Sequence, residues 1–242
     1  MASWSYALYR SFWIALDLFF PPAWGGCGKI GSRGCVECQQ SVQILRGTLC
    51  EICGLPLGKA AIGETCRAER PLFRALRAWA VFGDPVQTAL HKLKYRRDIS
   101  LGAALASHML SFICELNWPI DVIIPIPLGK HRLKQRGYNQ VSMIATPLGM
   151  ALNVQYAPRE LMRCKETRSQ MGLTNLERKE NVSQAFQAGA GVRQKVVLVM
   201  DDVSTTGSTL SSSADALYMS GAKDVYAFTV ARALPHQGLR RV

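Results

Sequence analysis

Two adjacent carboxylates, Asp201 and Asp202, follow the apolar run Val196-Val197-Leu198-Val199-Met200. Close behind them comes Ser204-Thr205-Thr206-Gly207-Ser208-Thr209, a stretch rich in hydroxyls with a single glycine. Carboxylates accept hydrogen bonds from a pair of neighbouring hydroxyls. A hydroxyl-rich turn that enters a helix gathers N–H donors for an anion. Acids for a diol, followed at once by an anion cradle, suit a ribose that carries a 5′-phosphate. The apolar run reads as a strand buried on both faces, as in a parallel sheet. Open α/β sheets place their ligands at the carboxyl ends of such strands. Two plainer readings compete. Asp202 or Ser204 could simply cap the next helix. The acids could also end a Walker-B strand, but that needs a G-x-x-x-x-G-K-[ST] loop, which the chain lacks.

A second stretch runs from Asp121 to Gln140. Val122-Ile123-Ile124 reads as a buried strand, followed by Pro125-x-Pro127 and a strongly basic loop. Lys130, Arg132, Lys134 and Arg136 lie there with no acid among them. The prolines stiffen the turn, and the cations could meet pyrophosphate oxygens. A further basic group, His91, Lys92, Lys94, Arg96 and Arg97, surrounds Tyr95. Charge beside a stacking ring is how single strands are held. A solvated helix end explains the same residues and is the simpler reading.

The chain has 8 cysteines. Cys35/Cys38 and Cys50/Cys53 form Cys-x-x-Cys pairs, while Cys27 and Cys66 stand alone. Such pairs point to zinc before disulfides, and so to a reducing cytoplasm. Four thiolates close a structural zinc site, which makes Cys35, Cys38, Cys50 and Cys53 the first candidate set. A second arrangement groups Cys27 with Cys35 and Cys38, and Cys50 and Cys53 with Cys66, each completed by another ligand such as Glu69. A third is a module that no longer binds metal. Cys114 and Cys164 read as packed thiols.

The elements that must position these groups follow from the pattern. Apolar content of 48% and a charged fraction of 19% describe a globular chain. A net charge of +12 suits anionic ligands or nucleic acid without deciding between them. Residues 1–24 form an apolar leader interrupted by Arg10 and Asp17. It reads as a docking helix rather than a membrane span or a cleaved signal. Residues 25–70 are rich in glycine and cysteine and need a metal in place of a core. Residues 71–242 alternate strands and helices, which implies a parallel sheet with helices on both faces. Helices are expected over 85–95, 101–116, 138–152 and 209–219, with Pro147 ending or kinking the third. Residues 161–177 read as polar and irregular.

The acid pair with Thr205-Thr206-Gly207-Ser208-Thr209 resembles the signature of the type I phosphoribosyltransferases. That resemblance implies that Asp201 and Asp202 hold the ribose 2′- and 3′-hydroxyls of phosphoribosyl pyrophosphate in the reaction. It implies that Ser204, Thr205, Thr206, Gly207, Ser208 and Thr209 hold the 5′-phosphate. The pyrophosphate would fall to Pro127, Leu128, Arg132 and Arg136, with Mg²⁺ bridging. A mobile lid would fall on 163–181. The wider set His91-x-x-Lys94-Tyr95, Pro125-x-Pro127, Arg136-Gly137-Tyr138-Asn139-Gln140 and Thr167-x-x-Gln170 resembles the competence protein ComF and GntX group. What that implies is a structural zinc module on a phosphoribosyltransferase-like domain; the charged, short leader separately argues against stable membrane insertion. It implies a place in nucleoside chemistry and in natural competence, DNA uptake and transformation. Partners so implied are single-stranded DNA and competence helicase or recombination-loading proteins. Full members carry four Cys-x-x-Cys pairs, and here Ile30 and Glu69 stand in two of the cysteine positions. Two functions are open: a phosphoribosyltransferase of unknown acceptor, or a non-catalytic module that binds single-stranded DNA or a partner.

Overall fold

A computed structural model describes residues 6–9, 11, 35–59, 61–164 and 185–234. The expected leader helix lies mostly outside them, with residues 6–9 helical. The expected lid lies outside them beyond Cys164. Among the described residues no helix is long and apolar enough to cross a membrane.

A five-stranded sheet carries the molecule. Its strands are β1 (Ala75–Val81), β2 (Val122–Pro125), β3 (Gln155–Tyr156), β6 (Val196–Ser204) and β7 (Asp224–Arg232). The spatial order is β1-β7-β6-β2-β3, and every pairing is parallel. Two further short strands, β4 (Leu161–Arg163) and β5 (Phe186–Ala188), form an antiparallel pair, the first of them at the start of the stretch expected to be irregular. The Val196–Met200 run lies at the sheet centre with every residue buried, as its composition demands. The strand does not stop at the acids. Pairing with β7 continues through Asp201↔Thr229 to Ser204↔Arg232, so both carboxylates are held on a hydrogen-bonded ladder.

One sheet face is covered by α3 (Val86–Tyr95), α4 (Ser100–Glu115) and α6 (Gln140–Leu152). These follow helices α1 (Val36–Gln40) and α2 (Glu64–Ala68) of the cysteine-rich segment. The other face takes α7 (Ser208–Met219), the β4–β5 pair and part of that segment. Ile44 bridges Ala80 in antiparallel sense, with Leu45 N–H donating to Trp79 at 3.0 Å and Val81 N–H to Gln43 at 2.8 Å. The segment thus covers the otherwise open edge of β1, where unpaired backbone groups would invite association.

Pro147 does not end α6, which runs on through it to Leu152. A proline cannot donate to the carbonyl four residues back, which here is Met143. Gly102 of α4 sits against that carbonyl: a Cβ built on Gly102 would lie 2.5 Å from the Met143 oxygen. Close approach of a glycine Cα–H accommodates the freed acceptor and locks the two helices together. The basic stretch is also not a loop. Lys130–Arg136 forms a short helix, α5, closed by Gly137 at φ +84°.

The chain from β2 passes through α5 and α6 outward to β3, whereas the chain from β6 passes through α7 the other way, to β7. The direction of winding therefore reverses between neighbouring strands β2 and β6. Such a switch point opens a crevice at the strands' carboxyl ends. Gly102→Ala should cost about 1–3 kcal/mol through overpacking against Met143. Urea unfolding checks this, and an unchanged midpoint would contradict the close approach.

Candidate functional site

The acids sit at the carboxyl end of β6, beside the crevice. Asp202 is buried at 7% exposure, and Asp201 is partly exposed. The Asp202 Oδ2 pairs with the ammonium of Lys94, whose side chain is 20% exposed. Asp202 N–H donates to Asp201 Oδ1 at 2.8 Å, and the two carboxyl groups lie within hydrogen-bonding reach of each other. Burial would push the Asp202 carboxyl up, but the Lys94 ammonium outweighs it and holds the group below its ordinary range. Burial likewise works against the Lys94 charge, and Asp202 outweighs it, so the lysine stays protonated above its usual range. Asp201 is pushed well above the usual carboxylate range by burial and then by the charge on Asp202. The unliganded arrangement is one cation, one anion and one carboxyl that resists ionisation.

After Ser204 the strand ends in the hydroxyl turn. Gly207 takes φ +83°, a conformation that suits glycine, and stands at the N-cap of α7 with no side chain to cap it. The N-terminal end of α7 and its N–H groups therefore face the turn without a side chain at the N-cap position. Thr206 Oγ1 accepts from Ser208 N–H at 3.3 Å and contacts the Ser208 hydroxyl at 3.1 Å, which closes the turn. Beneath it, the Arg232 guanidinium is 2% exposed and donates to Ser204 Oγ at 2.9 Å.

Across the crevice, Ile126 N–H donates to Met200 at 2.7 Å, so the chain after β2 leaves the sheet one residue before the acid pair. Pro127 and Leu128 follow there, half-buried. Asn139 ties the loop down: its side chain donates to the Ile126 carbonyl at 2.8 Å and accepts from Val141 N–H at 3.0 Å. Arg136 donates to the buried Gln140 and lies 5.3 Å from the Tyr95 ring centroid. The Tyr138 hydroxyl donates to the Leu93 carbonyl. Arg132 lies on the exposed side of α5. The separated motifs His91–Tyr95 and Arg136–Gln140 thus meet, on either side of Lys94.

Lys94 is the residue that sequence reasoning misplaced, among the cations of a solvated helix end. Its signal was its fixed place in His91-x-x-Lys94-Tyr95, next to Leu93, on the apolar face of the helix.

The cysteines gather differently from the first candidate set. The ligand atoms of Cys50, Cys53 and Cys66 lie within 4.8 Å of one another, all three residues buried. Cys35 packs apart from them, against Ala104 with Cys38 beside it, and its thiol donates to Glu37 at 2.6 Å. The set Cys35, Cys38, Cys50 and Cys53 is therefore not assembled, and Cys27 lies outside the described residues. Local geometry explains the grouping. Gly54 N–H returns to the Cys50 carbonyl at 2.9 Å and Leu57 N–H to Thr48 at 2.9 Å, so Cys50 and Cys53 share a knuckle, and α2 delivers Cys66. Burial opposes ionisation of Cys50, but N–H groups led by Gly63 bring it down to about 7. Burial, then Cys53 and Cys50, push Cys66 up to about 12. Three buried sulfurs gathered within 4.8 Å of one another fit a zinc ion, which Cys50, Cys53 and Cys66 would hold. Glu69 is not among the grouped ligands. Cys114 and Cys164, expected to be packed, are exposed.

The cluster joins the same core as Leu210 and Ala214 of α7, the helix that follows the hydroxyl turn. Leu76 N–H donates to the Ile52 carbonyl at 2.7 Å, and Arg77 donates to the Cys50, Glu51 and Leu76 carbonyls at 3.3, 3.1 and 2.8 Å. Phe73 and Leu76 also back Gly207, each approaching its Cβ position within 3.7 Å.

Comparison with known proteins adds the relatives. The double zinc ribbon domain model matches residues 15–68. DNA utilization protein YhgH of Salmonella typhi is 30% identical over 206 residues, covering 83% of this chain and 90% of that protein. Competence protein ComFC of Bacillus subtilis is 26% identical, with 84% and 86% covered. Competence protein F of Haemophilus influenzae is 24% identical, with 82% and 96% covered. Among solved structures, the purine phosphoribosyltransferase of Pyrococcus horikoshii gives a TM-score of 0.30 at 17% identity, over 56% of this chain and 83% of that one. The allosteric regulatory enzyme of purine biosynthesis gives 0.37 at 19% identity, over 54% of this chain and 26% of that one.

The two acids should respond oppositely to neutralisation. The folded state raises the Asp201 pKa, so this group costs stability once pH exceeds its unfolded value. Asp201→Asn should raise the melting temperature at pH 7, and the gain should vanish as pH falls towards about 4. The folded state lowers the Asp202 pKa, so its contribution is present above the ordinary carboxylate range and is lost as pH falls through the folded value. Asp202→Asn should cost on the order of 3 kcal/mol at pH 7 by leaving Lys94 buried and unpaired. Thermal unfolding across pH separates the two. Chelation of zinc should lower the melting temperature of the whole domain in a single transition, since the cluster shares its core; an unchanged transition would contradict that packing.

Proposed function

The chain belongs to the family of the DNA utilization protein YhgH and the ComF competence proteins, and from that premise we propose that it binds phosphoribosyl pyrophosphate at the β2–β6 crevice. The observation that carries the reading is the acid pair and a helix start with glycine at its N-cap, joined by one hydroxyl turn at the switch point. In this reading Asp201 and Asp202 accept from the ribose hydroxyls. Ser204 to Thr209 surround the 5′-phosphate. Pro127, Leu128 and Arg136 border the pyrophosphate, and Arg132 reaches it from α5. Mg²⁺ would bridge the pyrophosphate oxygens. Each charge-assisted contact is worth about 1.5–3 kcal/mol, which makes the phosphate turn the main source of affinity.

The names of the relatives support a place in competence, with the protein acting in the cytoplasm on incoming DNA and alongside the proteins that unwind or load it. A second reading has its own observation. The Tyr95 ring is 59% exposed, stacked near Arg136 and 4.9 Å from the His91 ring. A cation-flanked exposed aromatic supports single-stranded DNA binding at the rim of the same crevice.

Calorimetric titration of phosphoribosyl pyrophosphate with Mg²⁺ tests the first reading. We expect micromolar binding that is lost in the Asp201→Asn/Asp202→Asn double variant, with single-stranded DNA binding retained. Binding undiminished in that variant would sink the assignment. Pyrophosphate release on addition of nucleobases would extend it from a binding site to a transferase.

A further inference from the structure

An anionic sugar phosphate approaching two bare carboxylates would be repelled. Enzymes commonly relieve such repulsion with a divalent cation. Here the relief is already built. Lys94 pairs with buried Asp202, and Asp201 leans on Asp202 through a hydrogen bond. The lysine is not a loose surface cation that swings in. Its neighbours in the chain on both sides are held by the end of α5 and the turn after it: the Leu93 carbonyl by the Tyr138 hydroxyl, and the Tyr95 ring by Arg136. Leu93 itself is fully buried.

We propose that Lys94 is the resident counter-cation of the acid pair, taking the place of a metal ion there, so that the ribose-phosphate end of the ligand binds without a divalent cation. The inference rests on the ribose-phosphate reading of the site and adds a positioning residue to it. Lys94 keeps Asp202 ionised and aimed, leaving its second oxygen and the Asp201 carboxyl to meet the sugar hydroxyls. Mg²⁺ is then required only for the pyrophosphate. The site accepts a ribose 5-phosphate moiety in either metal state, and distinguishes ligands by what they carry at C1.

Ribose 5-phosphate, which has no pyrophosphate, is the probe. Its affinity for the wild-type protein should be the same in EDTA and in Mg²⁺. Lys94→Met should weaken binding in EDTA by about tenfold or more, the scale of one charge-assisted contact, and Mg²⁺ should restore it. Lys94→Arg, which keeps the charge, should retain binding in EDTA. A purely structural role for Lys94 would not be rescued by Mg²⁺. Lys94→Gln carries the same comparison should the methionine variant fail to fold. Wild-type binding that requires Mg²⁺, or a Lys94→Met protein that binds normally in EDTA, overturns the proposal.

A ligand-free arm separates this inference from the reading beneath it. Mn²⁺ alone, followed by electron paramagnetic resonance, should bind the Lys94→Met protein more tightly than the wild type, with the difference abolished by Asp202→Asn. Equal Mn²⁺ binding by the two proteins would overturn the counter-cation role even if ribose 5-phosphate binds. Failure of ribose 5-phosphate to bind the wild type, with the Mn²⁺ difference present, would instead reject the ribose-phosphate reading.

Discussion

A carboxylate buried at the end of a central strand has to be paired, and in this protein the partner is Lys94. Much of the site's arrangement is tied to that pair. An unpartnered Asp202 would be expelled or protonated, because burying a lone charge is far more costly than burying a neutral group. The ion pair fixes the end of α3 over the end of β6. The residues beside Lys94 then anchor the segment between α5 and α6, which borders the crevice from the β2 side. One interaction thereby links three separate pieces of chain around the place where a ligand would lie.

The scaffold places this constellation by topology. Strands β2 and β6 are neighbours whose connections diverge, so their loops open away from each other. The β6 loop is held from below by Arg232 and from behind by Phe73 and Leu76. These last two residues share a core with the cysteine knuckle. The cysteine-rich segment therefore shares the core that backs the phosphate turn and packs directly on the sheet. Its three buried thiols lie close enough to share one zinc ion, which would tighten the layer that backs the phosphate turn.

The central strand, its acids and the turn after them were legible because their chemistry is local. A short β-branched apolar run suits a strand buried on both faces, and the turn follows directly in sequence. The helices over 86–95 and 100–115 were legible from their apolar period. What escaped depends on contacts between distant segments. Lys94 reads as a surface cation until Asp202 is placed opposite it, 108 positions further along the chain. Pro147 reads as a helix breaker until Gly102 covers the carbonyl it frees. The stretch Lys130–Arg136 reads as a loop because its charge hides a helix with no buried face. Among the cysteines the spacing favours one four-thiolate site, whereas the structure gathers Cys50, Cys53 and Cys66 as the second arrangement has them, because α2 returns Cys66 to the Cys50 knuckle while Cys35 packs against α4.

The central claim is that the acid pair and the hydroxyl turn are two halves of one ribose-phosphate site. A crystal structure of the protein soaked with ribose 5-phosphate tests it most directly. The account predicts the phosphate against the backbone of Thr205 to Thr209 at the start of α7. It also predicts sugar hydroxyls on Asp201 and Asp202, with the Lys94–Asp202 pair intact. A phosphate bound elsewhere, or a sugar that turns away from the acids with Lys94 displaced, would contradict it.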